Sequence, residues 1–183
     1  MIDKAEGAAF AWGFVESMLF FLVPDMILSV VAVHGLRRSL WCCLWAVAGA
    51  IGGGSLMYGW GAVDSATALS MVDAVPAIPA DMLVRVRAAL GADGLAAMLW
   101  GPLIGIPYKI YAVQAGALGL SLPGFMLMTI PARITRFLIT CLGFNLVSRL
   151  LRHWGASPRV IAACWTLFWV MNYAIYWHAT MRP

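Results

Sequence analysis

Residues 39–61 read SLWCCLWAVAGAIGGGSLMYGWG and contain no charged side chain. A helix that crosses the hydrocarbon core of a bilayer needs about 20 mostly apolar residues. This stretch meets that requirement, and so do two later stretches, residues 122–150 and residues 160–177. The sequence therefore predicts three membrane-spanning helices.

The composition of the whole chain agrees with burial in a membrane. Of its 183 residues, 63% are hydrophobic and only 11% are charged, and its mean hydropathy is +0.87. A soluble domain carries about 25% charged residues, so a free-standing soluble enzyme is excluded. The net charge of +4 is too dispersed to form the clustered basic patch of a nucleic-acid-binding protein. We expect no nucleic-acid partner.

Two further apolar runs are interrupted by proline. Residues 8–33 contain Pro24 next to Asp25, and residues 95–120 contain Pro107. Proline removes a backbone donor and pushes the preceding residue toward an extended conformation, so each run can turn back on itself. We expect two re-entrant helical hairpins with breaks at Pro24 and Pro107. Such backbone is tolerated at membrane depth only where protein buries it or where it lines a wet cavity.

In chain order, these segments form two similar repeats within one all-α integral membrane domain. Residues 8–61 are the first hairpin with its helix, residues 95–150 the second, and residues 159–178 a final transmembrane helix. Residues 62–94 are expected to be an external loop and a short amphipathic helix, which either lies in the membrane interface or is a solvated connector. Because one hairpin opens inward and the other outward, the repeats are inverted, an arrangement typical of transporters.

The orientation follows from the charges beside the apolar segments. Arg37, Arg38 and Arg152 flank predicted spans, whereas Asp64 and Asp73 lie in residues 64–81, which contain three acids and no basic residue. Basic residues next to membrane spans favour the cytoplasm. We therefore expect the three arginines on the cytoplasmic side and the two aspartates outside.

Five ionisable side chains lie at predicted membrane depth: Glu16, Asp25, Lys109, Arg133 and Arg136. Such residues are costly there and are functional candidates by default. One interpretation is a cluster of ion pairs that only stabilises the fold. The other is a polar cavity in which the three cations, two of them sharing a helix face, bind an anionic headgroup while the acids change protonation. The positive charges exceed the negative by one, which favours the second interpretation.

Other motifs indicate structure instead of chemistry. Gly49 and Gly53 have the small-xxx-small spacing that lets two helices approach closely, and their place inside a spanning helix excludes a phosphate loop. The four cysteines lack the C-x-x-C spacing of metal or redox sites, so we expect no metal and no cofactor. We find no nucleophile and base at a workable spacing and predict no enzymatic activity.

Four segments together carry a family resemblance. They are Glu16 through the Pro24-Asp25 stretch, the glycine-rich residues 49–61, GIPYKIYAVQAG at residues 105–116, and PARITRF at residues 131–137. In this order they resemble the DedA (VTT-domain, SNARE-associated) family of membrane proteins, and they are closest to its YqaA-like branch. The resemblance covers residues 10–150, nearly all of the predicted membrane core.

This resemblance implies two opposed re-entrant hairpins, a place in the bacterial cytoplasmic (inner) membrane, and movement of a lipid between leaflets. The lipid would be undecaprenyl phosphate or a phospholipid, with proton coupling in some members. Glu16 and Asp25 match the two membrane acids of the family. We therefore predict them to be the protonatable acids.

The chain departs from the family on its second hairpin. The Gly-Arg-x5-Arg pattern of better-studied members is missing, since Gly101 is followed by proline and only Lys109 lies near the second arginine position. Arg133 and Arg136 would then join Lys109 in binding the lipid phosphate.

We therefore expect a small multi-pass flippase or scramblase whose partner is a membrane lipid with an anionic phosphate headgroup. The alternative is a non-transporting membrane scaffold that binds partner proteins and uses its charges only for pairing. The sequence leaves the oligomeric state open, a homo-oligomer included.

Overall fold

A computed structural model gives the fold of residues 4–18, 23–75 and 78–180, and all regular secondary structure in this part of the chain is helical. Eight α-helices follow one another there: α1 Lys4–Ser17, α2 Asp25–His34, α3 Leu36–Val63, α4 Ser65–Asp73, α5 Ala80–Asp93, α6 Tyr108–Ala117, α7 Leu122–His153 and α8 Pro158–Thr180. Two short 3-10 helices, Gly94–Leu99 and Gly101–Leu103, lie between α5 and α6.

Three of these helices, α3, α7 and α8, are long and apolar enough to cross a membrane. They contain the three uninterrupted stretches of the sequence. The all-α class and the three candidate spans are therefore confirmed.

Both interrupted runs are broken next to their prolines. α1 ends at Ser17, and α2 begins at Asp25, directly after Pro24. α6 begins directly after Pro107, whose backbone is extended, with φ −61° and ψ 131°. The second run lacks an α-helical first arm, because the chain before Pro107 forms the two 3-10 helices and then Gly105, with φ +88°. Only glycine adopts that φ without steric cost.

Glycines on α3 allow short helices to pack closely against it. A Cβ at Gly49 would overlap the carbonyl oxygen of Phe10 on α1, and a Cβ at Gly53 would overlap that of Phe14. Farther along α3, Gly61 meets the backbone of α6 in the same way. One helix from each interrupted run is therefore held on α3.

The chain between the two runs is largely helical, where the sequence predicted an external loop before the amphipathic helix. Asp64 caps α4 by accepting a hydrogen bond from the backbone N–H of Thr67 at 3.1 Å, and the hydrogen bonds from Thr67 hold the pKa of Asp64 below its usual range. On α5, the apolar stripe of Met82, Val86 and Leu90 is buried in the protein core. This stripe therefore packs against other helices of the protein.

Long aromatic side chains attach α8 to the rest of the bundle. The indole N–H groups of Trp165 and Trp169 both donate to the hydroxyl oxygen of Ser29 on α2, at 2.8 and 3.1 Å. The hydroxyl oxygen of Tyr173 accepts from the backbone N–H of Val23 at 3.0 Å. Side chains of this size hold the α8 backbone away from its neighbours, which leaves room for a cavity between α7 and α8.

We expect Gly49→Ala to destabilise the protein by about 1–3 kcal/mol, because the added methyl group overlaps a backbone carbonyl that cannot rotate away. Gly59→Ala on the same helix is the matched control. A Cβ at Gly59 has no other group within 4 Å, and alanine is favoured over glycine inside a helix by about 0.5–1 kcal/mol. Thermal unfolding in detergent measures both variants, and equal effects would contradict the close packing of α1 on α3.

We expect Ser29→Ala to weaken the attachment of α8, because it removes the acceptor of two indole N–H groups. Each buried donor left without an acceptor costs about 1–3 kcal/mol. Ser70→Ala is the control, since both serines donate to the carbonyl three residues earlier at 2.8 Å but Ser70 is exposed. The measurements are the melting temperature and the tryptophan emission maximum. An unchanged emission maximum and melting temperature in Ser29→Ala would refute this role.

Candidate functional site

The five ionisable side chains singled out from the sequence are all buried or partly buried within the helix bundle. Glu16 lies near the end of α1, Asp25 begins α2, Lys109 lies in the first turn of α6, and Arg133 and Arg136 lie on α7. All except Arg136 are 5% exposed or less. A buried charge is costly unless it is paired, so the partners of each group decide what it can do.

Arg133 and Glu16 form a closed ion pair. Arg133 Nη2 donates to Glu16 Oε2. The guanidinium carbon lies 4.9 Å from the ring centroid of Tyr108 and 5.1 Å from that of Phe137, and both rings contribute cation–π attraction. Arg133 lines neither of the two cavities near this cluster. Its charge is therefore compensated within the protein.

Asp25 and Arg136 form a more open ion pair. Arg136 Nε lies 3.2 Å from Asp25 Oδ2, and 25% of the Arg136 side chain is exposed. Thr140, one turn farther along α7, donates to Asp25 Oδ1 at 2.6 Å. Asp25 is also the first residue of α2, where the positive end of the helix dipole favours a carboxylate. The acid is held from several directions, whereas the arginine remains accessible.

The larger of the two cavities has a volume of about 700 Å³ and lies between α7 and α8. Asp25, Arg136 and Thr140 contribute polar groups to its lining. Apolar side chains form most of the remaining wall, among them Ile139, Phe144, Val147, Leu151, Ile161 and Phe168. Its volume is in the usual range for small-molecule sites, which are mostly apolar with a few placed polar groups.

The smaller cavity, of about 150 Å³, has more polar lining. Glu16 and Lys109 line it together with Tyr173 and Tyr176 of α8. Arg136 lines both cavities. The structure thus brings four of the five predicted residues to the cavities and encloses the fifth, Arg133.

This arrangement can bind an amphiphile with an anionic headgroup. A guanidinium group presents a planar set of donors that matches phosphate, and Arg136 is the arginine that reaches the cavities. The apolar walls between α7 and α8 suit hydrocarbon chains, which gain from leaving water.

Two polar residues of this site, Thr140 and Asn172, are not among the residues predicted from the sequence. Thr140 follows Arg136 by four residues and so lies on the same face of α7, a spacing that could have revealed it. Asn172 is an amide inside the apolar helix α8 and lines both cavities. Because an amide is not ionisable, the rarity of charges at membrane depth does not single it out.

The histidines and cysteines of the described residues do not form a metal site. No group of three His, Cys, Asp or Glu side chains is placed to hold a metal ion in residues 4–18, 23–75 and 78–180. None of the four cysteines forms a disulfide bond in this part of the chain. Cys43 and Cys141 lie with their sulfur atoms 3.2 Å apart, and the Ser39 hydroxyl donates to Cys141 at 2.7 Å. These contacts join α3 to α7.

Comparisons with protein-family models, with curated proteins and with solved structures gave no match. The functional conclusion therefore depends on the residues and their geometry.

We expect Arg133→Ala to destabilise the protein by about 3–5 kcal/mol, because it leaves the Glu16 carboxylate buried without its partner. The double variant Glu16→Gln/Arg133→Met should recover most of that loss, since neither remaining side chain is charged. Chemical unfolding in detergent measures the single variants and the double variant. If the double variant is less stable than Arg133→Ala, the two residues do not act as a pair.

Proposed function

We propose that this protein is a membrane transporter that moves a lipid with an anionic phosphate headgroup between the two leaflets. The observation that carries this proposal is the Asp25–Arg136 pair in the wall of a large, mostly apolar cavity. A small soluble anion gains nothing from apolar walls, whereas a lipid needs them for its chains and needs a cation for its headgroup.

Exchange of partners at Arg136 provides the proposed transport step. An ionised Asp25 neutralises the guanidinium group across their 3.2 Å contact. Protonation of Asp25 would end this neutralisation and leave Arg136 to bind phosphate through charge-assisted hydrogen bonds. Headgroup binding and proton uptake are then linked, which is the basis for the proposed proton coupling. Lys109 and Glu16 offer a second cation and a second acid in the smaller cavity.

The resemblance of the sequence to the DedA family supports the same proposal. It favours undecaprenyl phosphate or a phospholipid as substrate and the bacterial cytoplasmic membrane as location. The two interrupted runs would act as opposed re-entrant hairpins. The proposed activity makes and breaks no covalent bond, so it assigns no catalytic residue and no cofactor.

Leaflet exchange in liposomes tests the proposal directly. Purified protein is reconstituted with a trace of fluorescently labelled phosphatidylglycerol, and dithionite added outside bleaches the label that reaches the outer leaflet. Wild-type protein should expose the inner-leaflet label faster than protein-free vesicles do. Equal rates for both would instead favour the alternative, a non-transporting scaffold whose charges only pair.

We expect Asp25→Asn and Glu16→Gln each to slow exchange by about tenfold, equivalent to 1.4 kcal/mol, and to weaken its response to an imposed pH gradient. Each substitution keeps the size of the side chain and removes the group that would bind the proton. Glu16→Gln also leaves Arg133 without its acid, so exchange is compared at equal amounts of folded protein. Asp93→Asn, at the exposed end of α5, is the matched control and should exchange normally. If both buried variants also exchange normally, the two acids have a structural role alone.

A further inference from the structure

The two cavities lie on opposite sides of one polar junction. Of the described residues, Gly105, Arg136 and Asn172 line both. On α8, the larger cavity is lined from Ile161 to Asn172, and the smaller cavity from Asn172 to Trp177. A ligand that moves along α8 from one cavity to the other therefore passes between Asn172 and Arg136.

Unlike the residues of this junction, the two acids each line only one cavity. Asp25 lines the larger cavity, and Glu16 lines the smaller one. Arg136 and Asn172 are shared, so donor groups are available on both sides of the junction while each side has its own carboxylate. A headgroup at the junction would meet the same two donors before and after it passes.

No structural role explains why an amide, Asn172, lies this far inside α8. It lies 14 residues from the start of α8, or about 21 Å along the axis, and its neighbours on the helix are apolar or aromatic. Within residues 4–18, 23–75 and 78–180, no hydrogen bond holds its side chain, and the side chain is exposed to the cavities. Amides inside membrane helices usually hydrogen-bond across helices, so this one is available to a ligand.

We infer that Asn172 is a headgroup-binding residue that acts with Arg136 at the crossing point between the two cavities. This inference rests on the proposed lipid transport and adds a residue from α8, which the ion pairs do not involve. The amide nitrogen has two N–H donors, and these suit the phosphate oxygens of the headgroup. As a neutral group, Asn172 can keep a phosphate bound while Arg136 exchanges between Asp25 and the ligand.

The test compares Asn172→Leu, Asn172→Asp and Asn172→Gln in the liposome exchange assay with labelled phosphatidylglycerol. Asn172→Leu removes the donors and should slow exchange by about tenfold or more, as expected for the loss of a hydrogen bond to a charged group. Asn172→Asp also adds a negative charge and should slow it further. Asn172→Gln keeps the amide and should retain more activity than either. Met171→Leu, at an exposed neighbour that lines neither cavity, is the control and should match wild type.

A labelled lipid with an uncharged, phosphate-free headgroup separates headgroup recognition from general damage. For this lipid, Asn172→Asp should slow exchange no more than Asn172→Leu does, because the headgroup carries no anion to repel. The melting temperatures of all variants should equal that of wild type, since the amide has no hydrogen-bond partner among the residues that the structure describes.

Two results would overturn the inference but would leave the proposed function unaffected. One is wild-type exchange of phosphatidylglycerol in both Asn172→Leu and Asn172→Asp. The other is unfolding of all three Asn172 variants, which would show that the amide has a structural role. If the wild-type protein does not exchange lipid at all, the proposed function fails first, and the inference fails with it.

Discussion

The cost of placing charges inside a membrane protein constrains the rest of this structure. Two arginines on α7 must find anions, and they find them in Glu16 and Asp25 on the first interrupted run. The arginines are three residues apart, about 4.5 Å along the helix, whereas one continuous helix would separate the two acids by about 13.5 Å. The break near Pro24 allows both acids to reach the same stretch of α7. The ion pairs and the proline break therefore depend on each other.

Close packing on α3 fixes the positions of the helices that carry these charges. Gly49 and Gly53 bring the backbone of α1 against α3, and Gly61 does the same for α6. Glu16 and Lys109 are carried by these two short helices. Because glycine contacts are made by backbone atoms, they leave little freedom for the helices to shift. The charges at the ends of α1 and α6 are positioned by the glycines of a third helix.

The two ion pairs differ in how far their arginines are open to the cavities. Arg133 is enclosed by Glu16 and two aromatic rings, whereas Arg136 is partly exposed and lines both cavities. Arg136 lies beside α8, which is joined to α2 by tryptophan side chains and to Val23 by a tyrosine, and which leaves space there. The proposed lipid site thus exists because the last helix packs through long side chains.

The sequence by itself determined that the chain is helical and has three segments long and apolar enough to span a membrane, because apolar length and low charge content are local properties. It also indicated the breaks at Pro24 and Pro107 and the five ionisable residues, because proline and buried charge are exceptional in any apolar run. It did not determine which arginine pairs with which acid, nor that the stripe on α5 packs against protein. It also did not show that Thr140 and Asn172 join the site. Those outcomes depend on which helices become neighbours. Only the tertiary structure decided them, since pairing and burial arise between residues more than a hundred positions apart, such as Glu16 and Arg133. A local sequence pattern does not show which of such distant residues will be in contact.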